Sequence, residues 1–546
     1  MKTQSILIPY SLLITALLLP CGFGCWKKPE LQTVNPTRFL EVQEDQQAEI
    51  RELIRIKNDV AGYRHTVVTR FTEDGETVYQ VSQEDVISAN RLGERSTGRI
   101  ETAVLQKRDG TFLEGKKTEH LSGLPMVTIF LPDESSGNMI RQAGTVIVNP
   151  ATGEEELNFK SSDKTMPWKP GTLGPFAKQF SLWDKPLVPT EKRTIEYFDL
   201  TLEQMVTVEL IAGEIGPLLF NNIETNLLPV VETTRIGEIT LISHLWMDAG
   251  GNIVRATLTE PLPMEISLST KEKVESAFEN AGKVNLNLFA LVRAQGVIPQ
   301  PRSTHKVVFR MHRVNGGQST PAVGSGFATL FPITAFQSVN VVDENTLEVT
   351  TTASSPSALR ALYGSVIPPT PKETTVPGDL LRNEWIQSDS EHITGLAAEA
   401  TESNNRSWEM AAELERFVSR KLQQVSYQHS FASAAEVAET LQGDSAGYAV
   451  LLAAIARAKN IPSRVVVGLV YTDTNTNEGV FVPHFWTELF LDGHWHPFDA
   501  TIGQGGADAS RILLARSNLA DESLPALVAK TLPLLGHLQV TIVKIE

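Results

Sequence analysis

The first half of the chain alternates between apolar and polar residues, and short turn sequences separate the alternating runs. Met126 to Leu131 is one such run, and the run from Ile100 to Lys107 ends at an Asp109-Gly110 turn. Alternation with a period of two predicts strands with one buried face, and glycine turns between them predict antiparallel hairpins. We therefore predict a β-rich domain over residues 40–285, which begins with a charged helix at residues 41–57.

A second β-rich segment follows at residues 286–377, and four prolines mark its end. Pro368, Pro369, Pro371 and Pro377 cannot donate backbone hydrogen bonds to a sheet. This stretch therefore predicts a linker to whatever follows.

Beyond the linker, the apolar positions recur with the spacing of helices. The stretch from Ala449 to Ala456 is apolar on every side, which predicts a buried central helix that starts near Ser445. Arg464 to Tyr471 then predicts a buried strand, and Phe485 to Phe498 predicts a hairpin that turns at Asp492-Gly493. The C-terminal region is therefore expected to mix helices and strands.

Composition places the chain among globular proteins and removes several functional classes. Of its 546 residues, 41% are hydrophobic and 21% are charged, and 64 acidic residues against 48 basic ones give a net charge of −16. A chain this acidic repels phosphate backbones, so nucleic acid is not expected as a partner. Cys21 and Cys25 are its two cysteines. Disulfides, cysteine-ligated zinc and a thiol nucleophile are therefore excluded from the rest of the chain.

The N-terminal residues predict export. Lys2 precedes a mostly apolar run from Ile6 to Leu19, which is too short to span a bilayer comfortably and fits a secretory signal. Phe23-Gly24-Cys25 resembles a bacterial lipoprotein signal. We expect a signal peptide over residues 1–25 and a periplasmic or cell-envelope location. Cys25 is a candidate for lipid attachment, which would make the protein a membrane-anchored lipoprotein.

Three residues of the C-terminal region could form a nucleophilic site. Ser445 follows Asp444, a good N-cap, so its hydroxyl lies at the positive end of the buried helix, where free amides could hold an oxyanion. If the hairpin turns on two residues, Asp499 lies opposite Trp486, and His484 is a diagonal neighbour on the same face. The carboxylate would then orient the imidazole toward a nucleophile on the helix.

Four motifs in this region resemble the core of transglutaminase-like domains. They occur in order through residues 385–515 and read GDSAGYAVLL from Gly443, IPSRVVVG from Ile461, HFWTE from His484 and DAT from Asp499. The resemblance implies a papain-like α/β core in which cysteine, histidine and aspartate cleave amides or transfer acyl groups. It places the histidine at His484, the aspartate at Asp499 and the nucleophile at Ser445, and it implies a peptide or protein partner with no cofactor and no metal.

Two departures from that family bear on activity. Ser445 stands where the family has cysteine, and Gly447 where it often has an acidic residue. A thiol with a pKa of about 8.5 can be ionised in advance by a helix terminus and an imidazolium, whereas a serine must lose its proton in the transition state. We expect a catalytically impaired binding or scaffold protein at the cell envelope. The alternative is an active amide hydrolase or acyltransferase on peptides or proteins that uses a Ser445-His484-Asp499 triad.

Two other interpretations of these residues stay open. Gly443 to Gly447 matches the G-x-S-x-G elbow of α/β-hydrolases, which requires a strand immediately before the serine, although Ala434 to Leu441 predicts a helix there. His494 and His496 have the H-x-H spacing of some metal sites, but no cysteine or clear carboxylate partner accompanies them.

The expected fold class is therefore α+β, with an antiparallel β-rich N-terminal region followed by a transglutaminase-like, papain-type α/β core. The expected divisions are a signal peptide at 1–25, a β-rich domain at 40–285, a second β-rich segment with its linker at 286–377, a transglutaminase-like domain at 385–515 and a C-terminal extension at 516–546.

Overall fold

The computed structural model of the protein describes residues 30–546 with gaps at 36, 45, 74, 92–93, 121–124, 134, 149–154, 160–163, 238, 260–262, 280, 282–291, 315–326, 403–406, 425–430, 474–478, 532–533 and 535–536. The expected signal peptide and both cysteines lie outside the described residues. The described helices are all too short or too polar to cross a membrane. The chain divides into two compact units, one made by the described residues up to Ala281 and the other by those from Val292 onward.

The first unit is built on one sixteen-stranded antiparallel sheet. Its described helices are α1 (Ala177–Asp184) and α2 (Lys271–Glu279), and a 3-10 turn (Phe39–Glu41) precedes the first strand. The strands are β1 (Gln47–Ile56), β2 (Asp59–Glu73), β3 (Glu76–Arg91), β4 (Glu94–Lys107), β5 (Phe112–His120), β6 (Met126–Asp133), β7 (Asn138–Val148), β8 (Glu155–Phe159), β9 (Lys164–Pro167), β10 (Lys192–Asp199), β11 (Gln204–Ala212), β12 (Gly216–Phe220), β13 (Ile223–Ile236), β14 (Ile239–Met247), β15 (Ile253–Leu258) and β16 (Met264–Leu268).

Most strands of this sheet pair with their neighbours in the sequence, as hairpins do. The order is β10-β11-β13-β14-β15-β16-β1-β2-β3-β4-β5-β6-β7-β8, with β12 on β13 and β9 on β7. The predicted turn at Asp109-Gly110 connects β4 to β5, and the Gly110 amide donates to the Lys107 carbonyl. The antiparallel β-rich prediction is confirmed for this unit.

The predicted helix at residues 41–57 is wrong. Most of this range is β1, which pairs with β2 along one edge and with β16 along the other. Ile50, Leu53 and Ile54 would share one face of a helix, but Ile54 and Ile56 also alternate as a strand requires. A central strand satisfies its backbone on both sides, and that long-range pairing outweighs a local helical pattern.

The second unit is built on a nine-stranded sheet with helices. Its helices are α3 (Pro356–Tyr363), α4 (Glu391–Ala400), α5 (Trp408–Lys421), α6 (Ala434–Thr440), α7 (Ser445–Ala458) and α8 (Leu524–Ala529), with 3-10 turns at Pro301–Ser303, Phe327–Leu330 and Pro377–Asp379. Its strands are β17 (Val292–Gln295), β18 (Lys306–Arg313), β19 (Gln337–Val341), β20 (Thr346–Thr352), β21 (Gln423–Gln424), β22 (Gln442–Gly443), β23 (Ser463–Asp473), β24 (Gly479–Leu491), β25 (His494–Phe498), β26 (Arg511–Ser517) and β27 (Leu538–Ile545).

Strands from three predicted divisions share this second sheet. Its order is β19-β20-β18-β27-β17-β24-β23-β26, with β25 on β24. Strand β17 pairs antiparallel with β24 and parallel with β27, and β27 pairs antiparallel with β18. The segment 286–377 and the extension 516–546 are therefore not separate from the region 385–515, because their strands complete its sheet. The rings of Phe309 on β18 and Phe481 on β24 meet edge to face at 5.3 Å in the shared core.

The proline-rich stretch packs against the hairpin formed by β24 and β25. The Glu373 amide donates to the Gly493 carbonyl at 2.8 Å, and His494 Nε2 lies 3.1 Å from the Thr370 carbonyl oxygen. The prolines thus mark a segment without regular structure, as predicted, but backbone contacts hold it against the sheet and it is not a boundary between domains.

Candidate active site

Helix α7 is the buried helix that the sequence predicts. Every residue from Ser445 to Arg457 is buried. A polar contact joins the helix to the sheet, because the Thr487 hydroxyl on β24 donates to the Ala449 carbonyl at 2.9 Å. A helix that is apolar on every side has to be buried on every side. The burial of α7 therefore includes its N-terminus, where Ser445 lies.

Asp444 caps the helix, with a consequence for Ser445. Its Oδ1 accepts hydrogen bonds from the amides of Ala446 at 3.0 Å and Gly447 at 3.2 Å. The prediction of an Asp444 N-cap is confirmed, but these two amides are not free to hold an oxyanion. The carboxylate also places a negative charge at the helix terminus, which offsets the positive end of the helix dipole beside Ser445.

Packing explains why position 447 is a glycine, which the sequence did not reveal. A Cβ atom on it would lie 3.3 Å from a methyl group of Val437 on α6, tighter than most Cβ contacts. An acidic side chain at this position would have to displace that neighbour. The glycine therefore lets α6 and α7 approach closely.

The β24–β25 hairpin has the predicted turn and register. Asp492 and Gly493 have φ values of 52° and 89°, and Leu491 pairs with His494 across them. Two residues with positive φ are what a tight type I′ turn requires. The pairing continues to Thr487 and Phe498, and Asp499 is the next residue along the chain. In this register the side chains of Asp499 and His484 lie on the same face of the hairpin.

His484 and Asp499 form a buried pair. Nε2 of the imidazole lies 2.9 Å from Asp499 Oδ2 and 3.3 Å from the Thr501 hydroxyl, and the His484 side chain is 0% exposed. Because an ionised carboxylate only accepts, Nε2 donates in this contact, and in the neutral form of the ring Nδ1 is the acceptor. Nδ1 has no hydrogen-bond partner among the described residues. The structure thus brings His484 and Asp499 together, as the predicted register of the hairpin requires.

Arg511 keeps Asp499 charged. Its Nη1 donates to Asp499 Oδ2 at 2.8 Å and its Nη2 to Asp508 Oδ2 at 2.9 Å. Burial opposes the charge on Asp499, but His484 and Arg511 outweigh it and hold the pKa of that carboxyl well below its usual range. Sequence analysis missed Arg511. The signal was present, because a charged residue directly precedes the apolar residues 512–515 of β26.

Glu415 on α5 holds the chain segment that carries Asp499. Its Oε1 accepts from the Asp499 amide at 3.0 Å, and its two carboxylate oxygens also accept from the amides of Gly505 and Gly506. Burial and the nearby Asp499 charge raise the pKa of Glu415 to about 8. Sequence analysis missed this residue, although a carboxylate beside Leu414 in the apolar stripe of α5 was a usable signal.

Trp486 packs on the histidine. The two rings stack with their centres 6.5 Å apart, and the Arg511 guanidinium carbon lies 5.6 Å from the centre of the indole. Gly468 on β23 pairs with His484, and a Cβ there would lie 2.4 Å from the Trp486 ring. The glycine therefore makes room for the indole next to the imidazole.

Ser445 lies at the start of α7 but is not engaged. Its side chain is 6% exposed, and its Oγ has no hydrogen-bond partner among the described residues. His484 thus contacts a carboxylate, but no hydrogen bond joins its imidazole to the hydroxyl of Ser445.

The two open alternatives find little support. The strand before Ser445, β22, has two residues and pairs with β21, outside the nine-stranded sheet, and it follows helix α6. A hydrolase elbow needs a strand of the main sheet at this point. The described residues contain no group of three His, Asp or Glu side chains that could hold a metal. His496 is packed between the rings of Phe336 and Trp408, and burial lowers its pKa to about 3.

The region that contains these residues matches a known protein family. Residues 394–500, which include Ser445, His484 and Asp499, match the family model of the transglutaminase-like superfamily. This region is a transglutaminase-like domain. The family resemblance seen in the four motifs is therefore confirmed. No curated protein matches the chain.

Several solved structures are similar to portions of the chain at low identity. A candidate cysteine protease from Cytophaga hutchinsonii is 14% identical over 44% of this chain and 86% of its own, with a TM-score of 0.27. A β-barrel-like protein of unknown function from Brucella abortus is 11% identical over 41% of this chain and 95% of its own, with a TM-score of 0.29. A candidate protease from Parabacteroides distasonis is 11% identical over 79% of this chain and 66% of its own, with a TM-score of 0.18. Scores this low do not establish a common fold.

Proposed function

We propose that the transglutaminase-like domain is a papain-type core that has lost its amide chemistry and serves as a binding or scaffold element for a peptide or protein. The proposal rests on one observation above all. Ser445 Oγ is buried at the nucleophile position without a hydrogen bond to His484 or any other described residue.

The physical reason is the acidity of a serine hydroxyl. A serine becomes nucleophilic when a base within about 2.6–3.2 Å takes its proton during attack. The Asp444 carboxylate further disfavours charge on Oγ, and it occupies two of the amides that could stabilise an oxyanion.

A second candidate function is an amide hydrolase or acyltransferase with a Ser445-His484-Asp499 triad. The observation in its favour is the hydrogen bonding of His484, whose Nε2 lies 2.9 Å from Asp499 Oδ2 and whose Nδ1 has no partner among the described residues. A serine hydroxyl within hydrogen-bond distance of Nδ1 could pass its proton to that atom during attack.

The location belongs to the proposal as well. Export through the signal at residues 1–25 would bring the protein to the periplasm or cell envelope, with Cys25 as its candidate lipid anchor. The absence of any cysteine after Cys25 suits an oxidising compartment, because no thiol there can be mispaired.

A serine-directed phosphonate probe tests the proposal on the purified protein. We expect no labelling of Ser445 above the level seen in a Ser445→Ala control, and peptides retained by the immobilised protein should be recovered uncleaved. Stoichiometric labelling at Ser445 that His484→Ala abolishes would overturn the proposal and establish the serine triad.

A further inference from the structure

The first unit contains a cavity of about 110 Å³ that is lined by charged as well as apolar and aromatic side chains. Rows of paired residues cross β1, β2, β3 and β4 there, and one of these rows runs Glu52, Arg64, Asp85. Further lining residues come from α1 and from the end of β10. Interiors of sheets are ordinarily apolar, so a charged row facing a cavity calls for a function.

Most of the charges around the cavity are compensated by neighbours. Arg64 Nε donates to Asp85 Oδ1 at 2.6 Å, and Lys178 Nζ on α1 lies 3.5 Å from a carboxylate oxygen of Glu232. Asp199 Oδ1 accepts the amides of Thr201 and Leu202, both at 2.9 Å.

Glu52 is the exception. Its side chain lines the cavity and the residue is 7% exposed, yet no described residue hydrogen-bonds its carboxylate or forms an ion pair with it within the usual 4 Å limit. Three carboxylates line the cavity, Glu52, Asp85 and Asp199, against the two cations Arg64 and Lys178. Lys178 already lies against Glu232, so the three lining carboxylates outnumber the cations beside them.

The other lining residues suit a cation. The aromatic side chains of Phe176, Trp183 and Tyr197 line the same space. Aromatic faces attract ammonium groups, and an unpaired carboxylate in a low-dielectric site attracts them more strongly still. An anion would instead lie against the carboxylates of Glu52 and Asp199.

We propose that this cavity is a binding site for a small organic cation, a primary ammonium on a short apolar chain, whose charge pairs with Glu52. The ammonium supplies the donors that Glu52 lacks, and its chain contacts the aromatic wall. The site is distinct from the transglutaminase-like domain and does not depend on the state of Ser445.

The pKa values of two lining acids agree with this assignment. Burial, with the charge of Asp85 adding to it and those of Arg64 and Lys178 opposing it, raises the pKa of Glu52 to about 7. Burial likewise raises the pKa of Asp199 to about 6. Without a cation, these acids take up protons near neutral pH, and a bound ammonium would take the place of the proton on Glu52.

Three probes of equal length test the charge preference on the full-length protein by titration calorimetry at pH 8. They are n-butylammonium, 1-butanol and butyrate. We expect the cation to bind at least tenfold more tightly than the alcohol and butyrate not to bind. Its affinity should rise about tenfold from pH 6 to pH 8, because the ionised fraction of an acid with a pKa of about 7 rises by that factor. Equal binding of alcohol and cation, preferred binding of butyrate, or no binding at all would overturn the proposal.

Glu52→Gln keeps the shape of the side chain and removes its charge. It should weaken n-butylammonium binding at pH 8 at least tenfold and abolish the pH dependence. Glu49→Gln, on the same strand but with a solvent-exposed carboxylate, is the matched control and should leave both unchanged. Unaltered binding in Glu52→Gln would contradict the proposal. If that variant fails to fold, the pH dependence of the unaltered protein decides the question alone.

Discussion

Replacing Glu415 with alanine should loosen the segment that carries Asp499 while the rest of the second unit stays folded. The carboxylate of Glu415 is the hydrogen-bond acceptor for the amides of Asp499, Gly505 and Gly506. Alanine has no acceptor, so three buried donors lose their partner at once. One of these amides belongs to Asp499, the residue that contacts His484, and the other two follow it in the same segment. Glu415 is therefore a positioning residue for the site.

The size of the effect follows from those three hydrogen bonds. A buried donor left unsatisfied costs about 1–3 kcal/mol. Some of this is returned, because burial makes the Glu415 carboxyl itself unfavourable, as its pKa of about 8 indicates. We expect a net loss of about 2–4 kcal/mol in the free energy of local opening, which corresponds to roughly 30- to 1,000-fold faster amide exchange.

Hydrogen exchange followed by mass spectrometry measures this directly in peptides that cover residues 499–506. The Ala507 amide, which donates to the Pro497 carbonyl at 3.0 Å, should change least and is an internal reference. Glu413→Ala on the same helix is the matched control, because that carboxylate makes an exposed contact with Thr401. Exchange within threefold of the unaltered protein at all three amides would refute the role given to Glu415.

Three further predictions concern the cap, the buried acid and the shared sheet. Asp444→Ala should lower stability by about 1 kcal/mol in chemical denaturation, whereas Asp444→Asn, an equally good cap, should change it little. In the folded protein Glu52 keeps its proton between pH 4.5 and about 7. Its contribution to stability is therefore complete below pH 4.5 and is lost as the pH rises through 7. A melting temperature that falls over this range equally in Glu52→Gln would contradict this prediction. A single cut of the chain between residues 364 and 377 should leave two fragments that co-elute in size-exclusion chromatography, because β17 pairs with β24 and β18 pairs with β27. Separation of the fragments without denaturant would contradict the shared sheet.

Local signals carried the successful portion of the sequence prediction. The Asp492-Gly493 turn fixes the register of its hairpin within a few residues, and the register fixes that His484 and Asp499 share a face. The buried helix followed from the apolar run after Ser445, and its cap from Asp444 alone. Each of these inferences spans fewer than about twenty residues of sequence, over which turn chemistry and side-chain parity are decisive.

Long-range pairing is what the sequence did not disclose. Strand β1 has the spacing of a helix over a few residues, and only its two partner strands decide the matter. Glu415 and Arg511 reach Asp499 from a separate helix and a separate strand, and a pattern that predicts burial does not say which partner a buried charge will meet. The same holds for β17, β18 and β27, whose pairing joins three expected divisions into one sheet.

We infer that His484 and Asp499 keep the geometry needed to activate a thiol at position 445. Restoring the thiol tests this directly. In protein that lacks residues 1–25, the cysteine introduced by Ser445→Cys is the sole thiol, and its alkylation by iodoacetamide can be followed against pH with and without His484→Ala. We predict rapid alkylation at pH 6, where an ordinary thiol with a pKa of about 8.5 is below about one per cent ionised, and a return toward ordinary reactivity in the double variant. Slow alkylation that His484→Ala leaves unchanged would show that the two residues do not meet, and would contradict the account.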